Sequence, residues 1–225
     1  MKTKIYNFLS KRYIVILTML IAPLFGFIDR NFVFFFGLGI AFLILWGSNF
    51  EWTKFGMGKK ITRNTILKSL LITVLFFIGF SIIDSFLQHY LGEFDLSSVE
   101  DIRGNFVGYF VLMLIMWVFA AFGEEFLFRG YYMKSLAELL GNSNKNWFLS
   151  AIITSVYFGV SHIYQGTVGM VSVFLWSLLI SLIFNKNRNN LFLLVLIHGF
   201  NDTIGLTLIY LNKGNLISEW IQQLF

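Results

Sequence analysis

In Ala121-Phe122-Gly123-Glu124-Glu125-Phe126-Leu127-Phe128-Arg129-Gly130-Tyr131-Tyr132, two adjacent carboxylates and an arginine lie within an apolar, aromatic segment. The preceding residues, 107–121, include no charged side chain. On membrane-insertion scales, an ionised side chain at the centre of a bilayer costs roughly 2.5–3.5 kcal/mol. Acids inside such an apolar segment are therefore expected to serve a function, and they are the starting point for interpreting the rest of the chain.

Helical geometry predicts different roles for these three charged residues. Residues four apart lie about 40° apart around a helix and face each other. Glu125 and Arg129 are therefore predicted to form an ion pair that acts as a structural clamp. Glu124 lies about 100° round from Glu125, so it is predicted to be the chemically active carboxylate. The alternative is that both acids cap a helix end at the membrane interface.

Composition predicts an all-α, polytopic membrane helical bundle. Hydrophobic residues make up 57% of the 225 residues and charged residues only 13%, which is far from the usage of soluble proteins. The absence of cysteine excludes disulfides and thiolate metal sites. The net charge of +5 does not indicate a nucleic-acid partner, because the basic residues cluster in short loops between apolar runs. The expected environment is instead a lipid bilayer.

The alternation of basic and acidic loops predicts about seven membrane-spanning helices. The basic N-terminus and the basic loop at residues 47–64 are expected in the cytoplasm, and the acidic loop at residues 88–104 outside. The expected spans are residues 13–28, 32–46, 66–87, 105–140, 147–164, 168–184 and 190–211. A re-entrant segment would change this count.

The chain is expected to form a single membrane domain over residues 1–225. Within it, residues 1–104 would supply the N-terminal spans and residues 105–211 the catalytic core. The tail, residues 212–225, is expected outside as a short amphipathic helix on the membrane surface. The short chain, rich in Lys, Asn and Phe, indicates a multi-pass protein of a bacterial cell membrane.

Polar residues also interrupt two later spans. His162 ends Phe158-Gly159-Val160-Ser161-His162, and His198 and Asp202 frame His198-Gly199-Phe200-Asn201-Asp202. At a rise of roughly 1.5 Å per residue, Glu124 and His198 lie about 15 Å from the basic loops, Asp202 about 21 Å and His162 about 25 Å. The hydrocarbon core is about 30 Å thick, so the four side chains are predicted to meet near its middle. Each histidine taken alone could equally be a hydrogen-bonded packing residue.

These residue types favour amide hydrolysis without a covalent intermediate. A glutamate can act as general base on a water, one histidine can orient that water, and a second can stabilise an oxyanion. Ser161 is a poor candidate nucleophile because adjacent residues on a helix point apart. The chain has no His-Glu-x-x-His sequence, although two histidines and Glu124 could still ligate zinc.

Three ordered motifs, within about residues 121–205, resemble those of the CPBP family. This family contains the type II CaaX-processing proteases and the bacteriocin-processing or immunity proteins, also called the Abi family. The motifs are Glu-Glu-x-x-x-Arg (Glu124, Glu125, Arg129), Phe-x-x-x-His (Phe158, His162) and His-x-x-x-Asn/Asp (His198, Asp202).

The resemblance implies an intramembrane endopeptidase that acts on a hydrophobic peptide or membrane-protein substrate. It implies Glu124 as the catalytic base, His162 as its partner on the water, and His198 and residue 202 as oxyanion donors. Glu125, Arg129 and Phe158 would be structural support. Family members are often labelled metalloproteases, yet a metal-free glutamate mechanism that requires no cofactor is expected. The alternative is zinc held by Glu124, His162 and His198.

Asp202 departs from the family pattern, which usually has asparagine at this position. An ionised carboxylate would repel an oxyanion. Asp202 must then be protonated, as burial favours, or orient His198, or support a metal.

Two other classes of function remain open. A non-catalytic bacteriocin-immunity or scaffold protein would keep the motifs as structure. A proton-coupled carrier also uses buried Glu and His, but the sequence shows no inverted repeat. Within the peptidase hypothesis, peptide maturation and bacteriocin immunity are both open, and the sequence does not indicate the oligomeric state.

Overall fold

The computed structural model describes residues 1–214, and within them the chain is built of helices without a sheet. The expected all-α fold class is confirmed. The α-helices are α1 (Lys2–Leu9), α2 (Ile14–Ile21), α3 (Arg30–Gly47), α4 (Arg63–Leu91), α5 (Phe106–Ile115), α6 (Lys134–Leu139), α7 (Asn144–Ser161), α8 (Gly166–Lys186) and α9 (Leu191–Tyr210). Of the expected external tail, residues 215–225 lie outside the described residues.

Shorter segments of other helical types connect these helices. The 3₁₀ turns are Ala22–Phe27, Trp52–Phe55, Ser97–Ile102 and Ile163–Gln165. Two π-helical segments, Met116–Glu124 and Phe126–Met133, join α5 to α6. The motif with two glutamates therefore lies in a long helix from Phe106 to Leu139 whose middle is π-helical.

The predicted count of about seven spans is approximate for residues 1–214. Five helices are long and apolar enough to cross a membrane, and a sixth span results if α1 and Ile14–Phe27, which meet at 83°, are counted together. The five are Arg30–Gly47, Arg63–Leu91, Phe106–Leu139, Ile163–Lys186 and Leu191–Tyr210. The difference has a physical reason at α7, the expected fifth span, which starts with Asn144-Lys145-Asn146 and buries the polar Ser150 and Thr154.

Side-chain caps determine where three of the spans begin. The Asp29 carboxylate accepts a hydrogen bond from the Asn31 N–H at 2.7 Å at the start of α3. At the start of α4, Thr62 and Thr65 form a reciprocal capping box. Asn105 Oδ1 accepts from the Gly108 N–H at 3.0 Å at the start of α5. Such caps satisfy backbone N–H groups that have no partner within the helix.

The chain forms two compact units, each assembled from three separate segments. Unit 1 contains Met1–Lys60, Gly123–Thr154 and Ser181–Phe192. Unit 2 contains Ile61–Phe122, Ser155–Ile180 and the chain from Leu193 onward. The expected division into N-terminal spans and a catalytic core at residue 104 stays a prediction.

The core of unit 1 is aromatic and is centred on Phe126, next to the paired glutamates. The Phe126 ring is fully buried and lies 4.6 Å from the ring of Phe55 and 5.0 Å from that of Phe42. Trp52 approaches it edge-on at 6.1 Å. The motif stretch is therefore held by side chains from α3 and from the turn that follows it.

The loops before α4 and α9 are hydrogen-bonded to each other within unit 1. The Leu191 N–H donates to the Gly56 carbonyl at 2.9 Å, and the Lys59 N–H donates to the Asn189 carbonyl at 3.0 Å. We call this pairing the loop clip. It joins residues that are at least 130 positions apart in the sequence.

Unit 2 packs α9 against α4 and α5. Thr73 Oγ1 donates to the Ile197 carbonyl at 3.4 Å, and the hydroxyls of Tyr109 and Thr207 lie 2.9 Å apart. Its buried apolar cluster comprises Ile102, Met116, Ala121, Val195 and Leu206. The middle of α9, which holds His198, is therefore fixed by neighbours on two sides.

We predict that Gly56→Ala weakens the loop clip, whereas Gly58→Ala does not. Gly56 has a φ of +80°, and a Cβ there would lie 2.6 Å from the Phe184 ring and 2.9 Å from the Arg188 carbonyl oxygen. A Cβ on Gly58 would meet nothing closer than 3.5 Å. Strain at a positive φ costs about 1–3 kcal/mol, so thermal unfolding of the detergent-purified protein should shift down by several degrees for Gly56→Ala alone. Equal unfolding temperatures for the two variants would contradict the importance of the clip.

Candidate active site

Glu125 and Arg129 form a completely buried ion pair in unit 1. Arg129 Nη1 donates to Glu125 Oε1 at 2.9 Å. The Glu125 side chain is 0% exposed and the Arg129 side chain is 1% exposed. Arg129 Nε also donates to Ser181 Oγ, on the last part of α8, at 3.2 Å. The four-residue spacing predicted the ion pair, whereas Ser181 was not predicted, because a partner on another helix leaves no spacing signal.

Glu124 ends the first π-helical segment and has different surroundings from its neighbour. It is partly exposed, whereas Glu125 is buried. The two carboxylates therefore occupy different faces, as helical geometry predicts. π-Helical winding, in which hydrogen bonds run from residue i to i+5, is rare and often occurs at functional sites. The stretch contains no proline that would have predicted a departure from α-helical winding.

His162 lies at the end of α7, with its ring oriented by Phe158. Its Nδ1 is 2.8 Å from the Phe158 carbonyl oxygen, and the two rings are 4.6 Å apart. A carbonyl oxygen only accepts hydrogen bonds, so this contact places the proton of the neutral imidazole on Nδ1 and the lone pair on Nε2. Ser161 Oγ donates to the same carbonyl at 2.7 Å and lies 3.2 Å from His162 Nδ1, so these adjacent side chains contact each other, contrary to the expectation that they point apart.

His198 and Asp202 contact each other one turn apart on α9. His198 Nε2 lies 3.3 Å from Asp202 Oδ2, with side-chain exposures of 7% and 25%. Trp176 of α8 packs against the imidazole edge-on, with ring centroids 4.7 Å apart. The carboxylate and the indole together restrict the orientation of the His198 ring. Trp176 was missed in the sequence, where it is one aromatic residue among many.

Trp117, in the first π-helical segment, packs on the residues next to His198 and Asp202. Its Nε1 donates to Thr203 Oγ1 at 3.2 Å, and its ring lies 5.6 Å from that of Phe200. Gly199 faces the same ring, and a Cβ at that position would collide with it. Trp117 therefore sets the position of this turn of α9 within unit 2, and position 199 has room only for glycine.

The predicted site residues belong to both compact units. Unit 1 contains Glu124, Glu125 and Arg129, and unit 2 contains Phe158, His162, His198 and Asp202. Three of the expected pairings are present: Glu125 with Arg129, Phe158 with His162, and His198 with Asp202. The catalytic and supporting roles of these residues stay predictions.

No group of three or more His, Asp or Glu side chains arranged to hold a metal ion occurs within residues 1–214. The zinc alternative, with Glu124, His162 and His198 as ligands, stays a prediction. The steps proposed below use only the protein's own groups.

Comparison with known proteins gives one family match. Residues 106–204, a little under half of the chain, match the family model described as Rce1-like, type II CAAX prenyl endopeptidase Rce1-like. This segment contains all three motifs from Glu124 to Asp202, and the match supports a CPBP-family intramembrane protease. The apolar helices and this match together support a multi-pass membrane protein. No curated protein and no solved structure gives a significant match.

We predict that Arg129→Met lowers the amount of folded protein in the membrane. Methionine keeps most of the side-chain length but leaves the Glu125 carboxylate buried beside no cation on its own helix turn. Removing one partner of a buried ion pair costs about 3–5 kcal/mol. Membrane abundance and thermal unfolding of the purified protein would measure the loss.

The matched control is Glu125→Gln combined with Arg129→Met, which removes both charges. Because no lone charge then remains buried, this double variant should recover part of the abundance. An Arg129→Met protein with wild-type abundance and unfolding temperature would show that the ion pair is not a structural clamp.

Proposed function

We propose that this protein is an intramembrane endopeptidase in which Glu124 activates a water to cleave a peptide bond of a membrane-associated substrate. The observation that carries the proposal is the family match over residues 106–204, in which the paired glutamates are divided between two environments. Glu125 is buried and engaged by Arg129, whereas Glu124 is partly exposed. The chemistry therefore falls to Glu124.

Glu124 would act first as general base and then as general acid. It removes a proton from the water as the water oxygen bonds to the scissile carbonyl carbon, giving a tetrahedral oxyanion. It then returns that proton to the amide nitrogen as the carbon–nitrogen bond breaks. The products are a carboxylic acid and an amine, and no cofactor is required.

His162 would orient the attacking water. Its Nδ1–H is committed to the Phe158 carbonyl at 2.8 Å. The lone pair of Nε2 can then accept a hydrogen bond from a water, which fixes the direction of the water's oxygen. Phe158 supports this role through its backbone carbonyl as well as its ring.

His198 would stabilise the oxyanion, with Asp202 as its positioning residue. Of the three roles considered for Asp202, the 3.3 Å contact with Nε2 favours orientation of the imidazole. A carboxylate at one ring nitrogen stabilises the imidazolium form, as in serine-protease triads. Nδ1–H of that form would donate to the oxyanion. Asp202 then orients the His198 donor and does not itself donate to the oxyanion. An aspartate is therefore compatible with a position that is usually asparagine.

The proposed substrate is a hydrophobic or membrane-associated peptide, and the proposal does not require a prenyl group. Peptide maturation and bacteriocin immunity are the settings we propose, in a bacterial cell membrane. The basic loops support a cytoplasmic N-terminus.

A non-catalytic immunity or scaffold protein is the second candidate. It is favoured by one observation, the buried Glu125–Arg129 pair, which can hold the fold together without performing chemistry. The two candidates differ in what a change at Glu124 should do.

We predict that Glu124→Gln abolishes cleavage while leaving the protein at normal abundance. Glutamine keeps the shape of the side chain but cannot take up the water's proton. Comparative peptidomics of membranes with wild type and Glu124→Gln should show peptides that only the wild type releases. Glu138→Gln is the matched control, because the same change then affects an exposed acid in α6 of the same long helix.

Two outcomes would oppose the enzyme. Identical peptides from wild type and Glu124→Gln would remove the role of Glu124. Equal protection of cells by both, in an immunity assay, would favour the scaffold.

We predict further that Asp202→Leu lowers kcat about 10–100-fold, the range for partners that orient a catalytic ligand. Asp202→Asn should also lower kcat, because its neutral amide can accept from Nε2–H but cannot stabilise the imidazolium whose Nδ1–H donates to the oxyanion. KM should change little in either variant if the residue acts through His198 alone. A wild-type kcat for Asp202→Leu would contradict the positioning role.

A further inference from the structure

Helix α1 is attached to the carboxyl end of α3 in unit 1. Lys2 Nζ donates to Asn49 Oδ1 at 2.6 Å and lies 5.0 Å above the Trp46 ring. Tyr6 packs so closely on Gly47 that a Cβ there would come within 2.7 Å of it. α1 is therefore a fixed element at one end of a candidate span.

A second attachment holds α1 to the turn after α3. Lys54 Nζ donates to the Tyr6 hydroxyl at 2.5 Å and pairs with Glu51 at 2.9 Å. The hydrogen bonds with Tyr6 and Glu51 raise the pKa of Lys54 above its ordinary value. Lys54 thus remains a cation that connects α1 to this turn.

The direction and pattern of α1 are those of an interfacial helix. It meets Ile14–Phe27, the apolar helical segment that follows, at 83°. Lys4 and Asn7 lie on one side of α1, and Ile5 and Leu9 lie on the other. An amphipathic helix roughly perpendicular to an apolar one lies in the membrane surface with its polar side towards water. Trp46, beside Lys2, has the side chain typical of that level.

The positive charge of the chain is concentrated at this position. The first twelve residues include four basic residues and no acid, and residues 47–60 include three basic residues and one acid. Together these segments carry more positive charge than the net +5 of the whole chain. The exposed basic residues among them are Lys4, Lys11, Arg12, Lys54, Lys59 and Lys60.

We propose that α1 and residues 47–60 form a binding surface for anionic lipid headgroups. Basic clusters on an interfacial helix beside a membrane span attract acidic lipids, each Lys or Arg adding to the attraction. Phe8 and Tyr13 are about half exposed, at 53% and 49%, and their rings lie 5.6 and 6.0 Å from Lys11 Nζ. The rings can enter the acyl boundary while the ammonium group meets a headgroup phosphate. This surface does not depend on the proposed peptidase activity.

The test uses the full-length protein in nanodiscs of phosphatidylcholine alone and of phosphatidylcholine mixed with phosphatidylglycerol. If this surface binds anionic lipid, the protein should unfold at a higher temperature in the mixed nanodiscs than in phosphatidylcholine alone. The increase should shrink as sodium chloride is added, because salt screens exposed charges. An unfolding temperature that is the same in both lipids would overturn the proposal.

Variants then localise the effect. Lys4→Gln/Lys11→Gln/Arg12→Gln should lose most of the phosphatidylglycerol-dependent increase. The control, Lys145→Gln/Lys186→Gln/Lys213→Gln, removes the same charge from exposed positions elsewhere and should keep the increase. An equal loss in both variants would show that net charge, and not this surface, is responsible.

If Lys4→Gln/Lys11→Gln/Arg12→Gln unfolds at a lower temperature than wild type in phosphatidylcholine alone, it does not report on lipid binding. Lys59→Gln/Lys60→Gln, with Lys145→Gln/Lys186→Gln as its control, then asks the same question away from α1. Retention of the full increase by Lys59→Gln/Lys60→Gln would exclude residues 47–60 from the surface.

Discussion

The cost of an ionised side chain in a hydrocarbon environment underlies the arrangement of the motif helix. Glu125 and Arg129 neutralise each other at 2.9 Å with no meaningful exposure, and Ser181 satisfies a further donor of the guanidinium group. A carboxylate used in this way cannot serve as a base, because a proton on it would leave the arginine unmatched. The adjacent Glu124 lies on another face and is partly exposed. One residue of the pair can therefore serve stability while the other serves chemistry.

The sequence predicted the helical class and three pairings between residues four apart. Four-residue spacing was sufficient for Glu125 with Arg129, Phe158 with His162 and His198 with Asp202. It could not predict Ser181, Trp176 or Trp117, since contacts between helices depend on packing. The π-helical winding also left no sign, because it is a property of backbone hydrogen bonds. The span count is approximate at α7, which starts with Asn144-Lys145-Asn146, buries Ser150 and Thr154, and is not among the five helices apolar enough to cross a membrane.

The surroundings of His198 explain how an aspartate can occupy a position that is usually asparagine in this family. Asp202 contacts Nε2 of the imidazole, and Trp176 covers an edge of the ring, so the side chain is held from two directions. Beside them on α9, Gly199 lies against the Trp117 ring, and Trp117 donates a hydrogen bond to Thr203. The orientation of the histidine thus depends on a group of aromatic and small residues that the three family motifs do not include.

The loop clip has a consequence for biosynthesis. It pairs Gly56 and Lys59 with Asn189 and Leu191, so its two halves leave the ribosome at widely separated times. The attachment of α1 to α3 can form early, but unit 1 also needs Gly123–Thr154 and Ser181–Phe192 before it is complete. Most of the polypeptide must therefore be inserted before the N-terminal segments reach their final contacts. During translation the nascent N-terminal part would depend on the insertion machinery, and a chain that stopped before residue 189 would expose the inner surfaces of its first helices to quality-control proteolysis.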